Sequence, residues 1–97
     1  LKKIIKEKKI TSIIHLAACL NVKEAELKPK KYYKNNVLGT LNLVKACKNS
    51  MVKNIIFSSS CSIYGNVKGG IVSEKKKPNP QGKYALSKLD GENWKYL

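Results

Sequence analysis

Two short apolar runs, separated by a long helical pattern, constrain the fold of this chain more than any other feature. The runs are Thr11–Ala18 (TSIIHLAA) and Lys53–Ser60 (KNIIFSSS), and each contains a pair of isoleucines. Their length and nearly continuous apolar character predict strands buried on both faces, as in a parallel sheet. Helical patterns precede, separate and follow them, at Leu1–Lys9, at about residues 30–49 and at Tyr84–Leu97. Strands that alternate with helices in this way predict an α/β fold with right-handed crossovers.

The two longer helices are predicted from the spacing of their apolar residues. In the central helix these residues recur at steps of three and four, which gives one apolar stripe. The stripe consists of Tyr33, Val37, Leu41, Val44 and Cys47. The last helix has apolar positions at Leu86, Leu89, Trp94 and Leu97. The segment before it, Cys61–Gly82, is rich in Gly, Pro, Asn and Lys and predicts a long loop, a type that is often functional.

The chain is expected to be part of a longer doubly wound domain, because two strands are too few for a sheet with helices on both faces. It begins on Leu1 within a helical pattern and ends on Leu97 without a helix stop signal. The predicted fold class is therefore a partial Rossmann-like, doubly wound parallel sheet. Ligands of such sheets bind beyond the carboxyl ends of the strands. Those ends are Leu16–Cys19 and Ser58–Cys61.

Residues that could carry chemistry occur at the second of these ends and on the last helix. Ser58, Ser59 and Ser60 place three hydroxyls where the strand should end, suited to hydrogen bonding a sugar or a cofactor, although a polar turn would look the same. Tyr84 and Lys88 are four residues apart, so they share one helix face. A tyrosine hydroxyl ionises near pH ~10, and a nearby ammonium stabilises its anion. Taken alone, this spacing also arises by chance.

The charge and the cysteines exclude several classes of protein. The formal net charge is +14, yet all 20 basic residues are lysines and none is an arginine, the residue that makes bidentate contacts to guanine and phosphate, so we expect no specific nucleic-acid partner. Cys19, Cys47 and Cys61 lack the spacing of a zinc site or a disulfide framework, which indicates a reducing compartment such as the cytoplasm. No apolar run reaches the ~20 residues that span a bilayer, so no membrane partner is expected. His15 is expected to be a core residue with a hydrogen bond.

Four motifs occur in a fixed order and together carry a resemblance to a known family. They are HLAA, PKKYYKNNVLGTLNL, FSSSCSIYG and YALSKLDGE, within about Ile13 to Glu92. This chain resembles the extended short-chain dehydrogenase/reductase family, and in particular its NAD-dependent nucleotide-sugar epimerases. The resemblance implies NAD as cofactor, a nucleotide sugar such as UDP-glucose or UDP-galactose as substrate, and epimerisation through a 4-keto sugar. It also implies a glycine-rich phosphate turn upstream and a substrate domain downstream, neither of which is within this chain.

The resemblance assigns roles to individual residues. Ser60 would bind and polarise the reacting oxygen of the sugar, Tyr84 would be the general base, and Lys88 would hold the nicotinamide ribose and stabilise the tyrosinate. The full set of implied cofactor-binding residues is Leu16, Ala17, Ala18, Cys19, Leu20, Asn35, Ser58, Tyr84 and Lys88. The implied substrate contacts are Ser60 and Tyr84. The family commonly forms homodimers through helices that match Lys30–Asn49 and Tyr84–Leu97, so the full-length protein is expected to be a homodimer.

The choice of branch within the family depends on a few positions. Family dehydratases carry Asp-Glu after the catalytic hydroxyl, whereas this chain has Cys61-Ser62, which favours epimerisation. Leu20 and Lys83 depart from the pattern, because a lysine is often found at the first position in the bacterial members and a proline commonly precedes the tyrosine. Three alternatives stay open: another epimerase, dehydratase or decarboxylase of the family, a non-catalytic NAD-binding relative, and a decayed gene fragment.

Overall fold

A computed structural model describes residues 1–96 and places a two-stranded parallel sheet beside a group of helices. Strand β1 is Ser12–His15 and β2 is Asn54–Phe57. The helices are α1 (Lys2–Glu7), α2 (Val22–Leu27), α3 (Pro29–Tyr32), α4 (Gly39–Cys47) and α5 (Gly82–Glu92). A π-helical turn, Tyr33–Leu38, joins α3 to α4, and three 3₁₀ turns lie at Cys61–Tyr64, Lys68–Gly70 and Asn93–Tyr96. The predicted order of helices and strands is confirmed, with α2 as an addition.

The two strands pair in parallel, as predicted, with Ile13 opposite Ile55 and His15 opposite Phe57. They are shorter than predicted, because regular pairing covers four residues of each. Burial on both faces is also a wrong prediction for this chain, since Ile14 is 66% exposed. One face, which includes His15 and Phe57, lies under the helices, and the opposite face with Ile14 and Ile56 is exposed. The sheet is therefore covered by helices on one side.

The central helix runs from Pro29 to Cys47, close to the predicted residues 30–49, but its apolar stripe is partly wrong. Val37 is buried, whereas Tyr33 is 51% exposed and the preceding Tyr32 is buried in its place. The cause is the π turn, in which the Gly39 N–H donates to the carbonyl of Lys34, five residues back. A widened turn of this kind shifts the angular phase of the residues on either side of it.

The last helix also differs from its prediction, because it begins at Gly82 and its buried side consists of small residues and one lysine instead of leucines. Ala85, Ser87, Lys88 and Gly91 are buried, while Leu86 is 41% exposed. Gly91 allows close packing, since a Cβ there would lie 2.8 Å from the Phe57 ring. The predicted apolar position Leu97 lies outside the described residues. No helix within residues 1–96 is both long and apolar enough to cross a membrane.

Candidate functional site

The serine run follows β2 and leads into the first 3₁₀ turn. The Ser58 N–H donates to the His15 carbonyl at 3.1 Å and so extends the pairing of the strands. Ser60 precedes the 3₁₀ turn, and its Oγ accepts from the Ser62 N–H at 3.2 Å and lies 2.8 Å from the Ser62 Oγ. These contacts fix the side chain of Ser60 by local capping. The Ser59 Oγ is buried and has no hydrogen-bond partner within residues 1–96.

Lys88 ties α5 to the end of β2. Its side chain is buried, its Nζ donates to the carbonyl of Ser58 at 2.6 Å, and the same Nζ lies 4.8 Å from the centre of the Phe57 ring. Burial lowers the pKa of the Lys88 ammonium below its usual value, because desolvation penalises the charged form, and the nearby Glu92 carboxylate opposes this. A buried ammonium at a strand end is a frequent feature of functional sites.

Tyr84 lies in the first turn of α5, one turn before Lys88, and is half-buried. Its backbone carbonyl accepts from the Ser87 hydroxyl at 2.8 Å. Its own hydroxyl makes no hydrogen bond to protein within residues 1–96. Since α5 also packs on the 3₁₀ turn that Ser60 begins, the structure brings the three predicted catalytic residues to the same end of β2.

The segment after β1, predicted to line a cofactor, is anchored through Asn36. The Asn36 Oδ1 accepts from the Cys19 N–H at 2.8 Å, and the Asn36 Nδ2 donates to the Cys19 carbonyl and to the Ser87 Oγ at 3.1 and 3.0 Å. Because Ser87 also donates to Tyr84, a chain of hydrogen bonds joins this segment to the helix of the predicted base. Leu16, Ala17 and Leu20 are exposed, and Ala18 and Cys19 are half-buried.

The structure separates the roles of the two helical asparagines. Asn35, the predicted cofactor contact, is exposed, donates to the Asn36 Oδ1 at 3.0 Å, and shares a surface cavity with Cys19. Asn36 is 2% exposed and makes the contacts that organise the site. Asparagine is a mediocre helix former, so two in succession are unusual inside a helix. The sequence alone does not indicate which of the two is buried, because the π turn sets that phase.

His15 makes the predicted hydrogen bond, but it is half-buried and not a core residue. Its Nε2 lies 2.9 Å from the Thr40 Oγ1, and its ring lies 5.6 Å from the Phe57 ring. Burial first, and the charge of Lys88 second, lower the pKa of His15, so the neutral imidazole is favoured. Of the three cysteines, Cys19 and Cys47 are half-buried, and Cys61 is exposed beside Ser60.

Comparison with known proteins identifies relatives of this arrangement. The sequence model of the NAD dependent epimerase/dehydratase family matches residues 1–95. The UDP-glucose 4-epimerase of Caenorhabditis elegans is 40% identical over 96 residues, which cover 92% of this chain and 28% of that protein. Among solved structures, the UDP-glucose 4-epimerase from Brucella ovis in complex with NAD has a TM-score of 0.89 and 37% identity, with 95% of this chain and 28% of that chain covered.

A second solved structure extends the comparison to bound ligands. The UDP-glucose-4-epimerase from Stenotrophomonas maltophila, with bound NAD and formylated UDP-arabinopyranose, has a TM-score of 0.91 and 28% identity. It is matched over 98% of this chain and 28% of its own. The fold of this chain is thus that of part of these enzymes, and it spans less than a third of the length of the relatives named here.

Proposed function

This chain belongs to the NAD dependent epimerase/dehydratase family, and we propose that it is the middle of the NAD-binding domain of a nucleotide-sugar 4-epimerase that interconverts UDP-glucose and UDP-galactose. The glycine-rich turn and the substrate domain would lie in the rest of a longer protein. The observation that carries the proposal is the buried Lys88 ammonium, held on the Ser58 carbonyl at 2.6 Å with Tyr84 one turn away.

The residues around Lys88 fit a nicotinamide ribose. An ammonium can donate three hydrogen bonds, and Lys88 makes one to the protein within the described residues, so two donors are left for ribose hydroxyls. Cofactor contacts are proposed for the exposed and half-buried segment Leu16–Leu20, for Asn35 and for Ser58, alongside Tyr84 and Lys88. NAD, when bound, supplies a reversible hydride acceptor for the sugar carbon that bears the epimerised hydroxyl.

The proton chemistry falls to side chains of this chain. The Tyr84 hydroxyl makes no hydrogen bond within residues 1–96, and as the tyrosinate, stabilised by the Lys88 ammonium, it would accept the proton of the sugar hydroxyl. Ser60, held in place by Ser62, supplies a hydroxyl for the same sugar oxygen as charge develops there. Tyr84 then returns the proton when the carbonyl is reduced on its other face.

Epimerisation is favoured over dehydration by the residues that follow Ser60. Loss of water requires an acid and a base beside the sugar carbons, in addition to the tyrosine. The positions next to Ser60 are Cys61 and Ser62, neither of which is a carboxylic acid, and the Ser62 hydroxyl is engaged with Ser60. This part of the site therefore suits proton exchange at one oxygen.

Replacement of Tyr84 tests the proposal in the full-length protein that contains this chain. We expect Tyr84→Phe to reduce turnover of UDP-galactose by at least about 100-fold, the usual contribution of a positioned acid-base group, with NAD still bound. Tyr33→Phe is the matched control, because Tyr33 is an exposed tyrosine on another helix. A Tyr84→Phe variant with more than about a tenth of normal turnover would be incompatible with Tyr84 as the base.

A further inference from the structure

The N-terminus of α5 is capped by a side chain of α2, a helix that is distant in sequence but packs against α5. The residue before the helix, Gln81, makes no capping hydrogen bond with its side chain. Helix N-termini leave N–H groups without helical partners, and these need acceptors from elsewhere. Here the Lys83 N–H donates to the Oε1 of Glu26, on α2, at 2.6 Å. A carboxylate at this end of a helix is also favoured by the helix dipole.

Gly82 and Lys83 are both suited to this contact. Gly82 has φ of +84°, which glycine adopts readily, and a Cβ there would lie 2.8 Å from the Glu26 Oε1. A side chain at position 82 would therefore displace the carboxylate. Lys83 supplies the N–H, which a proline at the same position would lack. Gly82 thus provides the space that the Glu26 carboxylate occupies, and Lys83 provides the N–H that it accepts.

We propose that Glu26 is a positioning residue for the reaction, because it holds the first turn of α5 and so the orientation of Tyr84, the residue that follows Lys83. This inference rests on the proposed function of Tyr84. Glu26 lies on α2, which follows directly on the segment Leu16–Leu20 and is capped by Asn21. The segment after β1 is thereby linked to α5 at two places. In the interior, Asn36 is hydrogen-bonded to both Cys19 and Ser87, and at the surface Glu26 accepts a hydrogen bond from the Lys83 N–H.

The test compares Glu26→Ala and Glu26→Gln in the full-length protein, with Glu74→Ala as control. Glu74 is an exposed acid of the loop before α5 and has no hydrogen bond or ion pair within residues 1–96. For Glu26→Ala we expect kcat to fall about threefold to tenfold with KM nearly unchanged, because loss of the cap weakens the first turn of α5 and a misoriented base lowers turnover. Glu26→Gln keeps an acceptor oxygen and should restore most of kcat. Glu74→Ala should leave kcat unaltered.

Repeating the substitution of Glu26 in a Lys83→Pro variant separates the contact with the Lys83 N–H from any other effect of Glu26. Lys83→Pro removes the N–H donor while a proline is tolerated in the first helical turn. In that background Glu26→Ala should cause no further loss of kcat. Amide hydrogen exchange gives a readout that does not depend on catalysis: exchange at Tyr84–Ser87 should accelerate in Glu26→Ala.

The outcomes distinguish this inference from the proposed function. The same loss of kcat in both backgrounds, or unchanged exchange at Tyr84–Ser87, would overturn the role of Glu26. A full-length protein without epimerase activity, whose exchange still responds to Glu26→Ala, would refute the proposed function and leave the positioning of Tyr84 by Glu26 supported. A rise in KM with unchanged kcat would also overturn the inference, since a displaced base acts on turnover.

Discussion

Asn36→Leu removes a buried polar side chain that links several parts of the structure, and we expect it to lower the free energy of unfolding markedly. The Asn36 side chain is buried and links Cys19, Ser87 and Asn35 by hydrogen bonds. Leucine has a similar length but can neither donate nor accept. After the change the Cys19 N–H and carbonyl would lose their partners, whereas Ser87 would keep its bond to the Tyr84 carbonyl.

The magnitude follows from these two groups. A buried polar group without a partner costs about 1–3 kcal/mol, and because Cys19 is only half-buried, we expect a total near the lower end, at about 2–4 kcal/mol. The matched control is Asn35→Leu, since the neighbouring amide is exposed and makes a single hydrogen bond. A surface change of that kind is expected to stay within about 0.5 kcal/mol.

The assay is urea unfolding of the full-length protein without added NAD, followed by circular dichroism. Hydrogen exchange at the Cys19 amide adds a local measurement, and it should accelerate in Asn36→Leu but not in Asn35→Leu. Equal destabilisation by the two variants, or a loss below about 0.5 kcal/mol for Asn36→Leu, would refute the view that Asn36 organises the site.

Three further predictions concern pH, assembly and charge. The pKa of His15 is lowered in the folded chain, so as the pH falls the unfolded chain takes up the His15 proton before the folded chain does. The contribution of His15 to stability should therefore be full above about pH 6.5 and be lost as the pH falls through the lowered pKa. His15→Gln should flatten this part of a curve of stability against pH. The full-length protein should sediment as a homodimer, and Leu86→Glu should shift it to monomer, because Tyr33 and Leu86 line an apolar cavity between α5 and the central helix; an unchanged dimer would place the interface elsewhere. Despite its charge of +14, the protein should show no band shift with DNA or RNA tighter than about 1 µM at physiological salt, since non-specific attraction to lysines is screened there.

The order of elements and the place of the site were predictable from the sequence, because both depend on features that one sequence displays. The alternation of apolar runs and helical patterns predicted the parallel pair, and the rule for carboxyl ends then directed attention to Ser58–Cys61. Spacing placed Tyr84 and Lys88 on one helix face. The resemblance assigned their roles.

Burial within the central helix was not predictable, because the spacing argument assumes one uniform helical period. The π turn at Tyr33–Leu38 breaks that period, so Tyr32 and Asn36 point inward while Tyr33 and Asn35 lie at the surface. Long-range contacts were also missed, since no local pattern relates Glu26 to Lys83, which lie 57 residues apart in the chain. The pair of asparagines inside a helix, where asparagine is a mediocre helix former, is a local signal of the buried Asn36 side chain.

The pattern of satisfied and unsatisfied polar groups distinguishes structural residues from those offered to a ligand. Asn36 and His15 have protein partners on the side chains that they bury. At the end of β2, by contrast, the Lys88 ammonium makes one hydrogen bond, and the Ser59 Oγ makes none within residues 1–96. Protein interiors normally satisfy almost all such groups, and the desolvation of Lys88 makes this arrangement expensive. Because these groups lie near the edge where α/β sheets bind ligands, they are consistent with the polar ligand that we propose there.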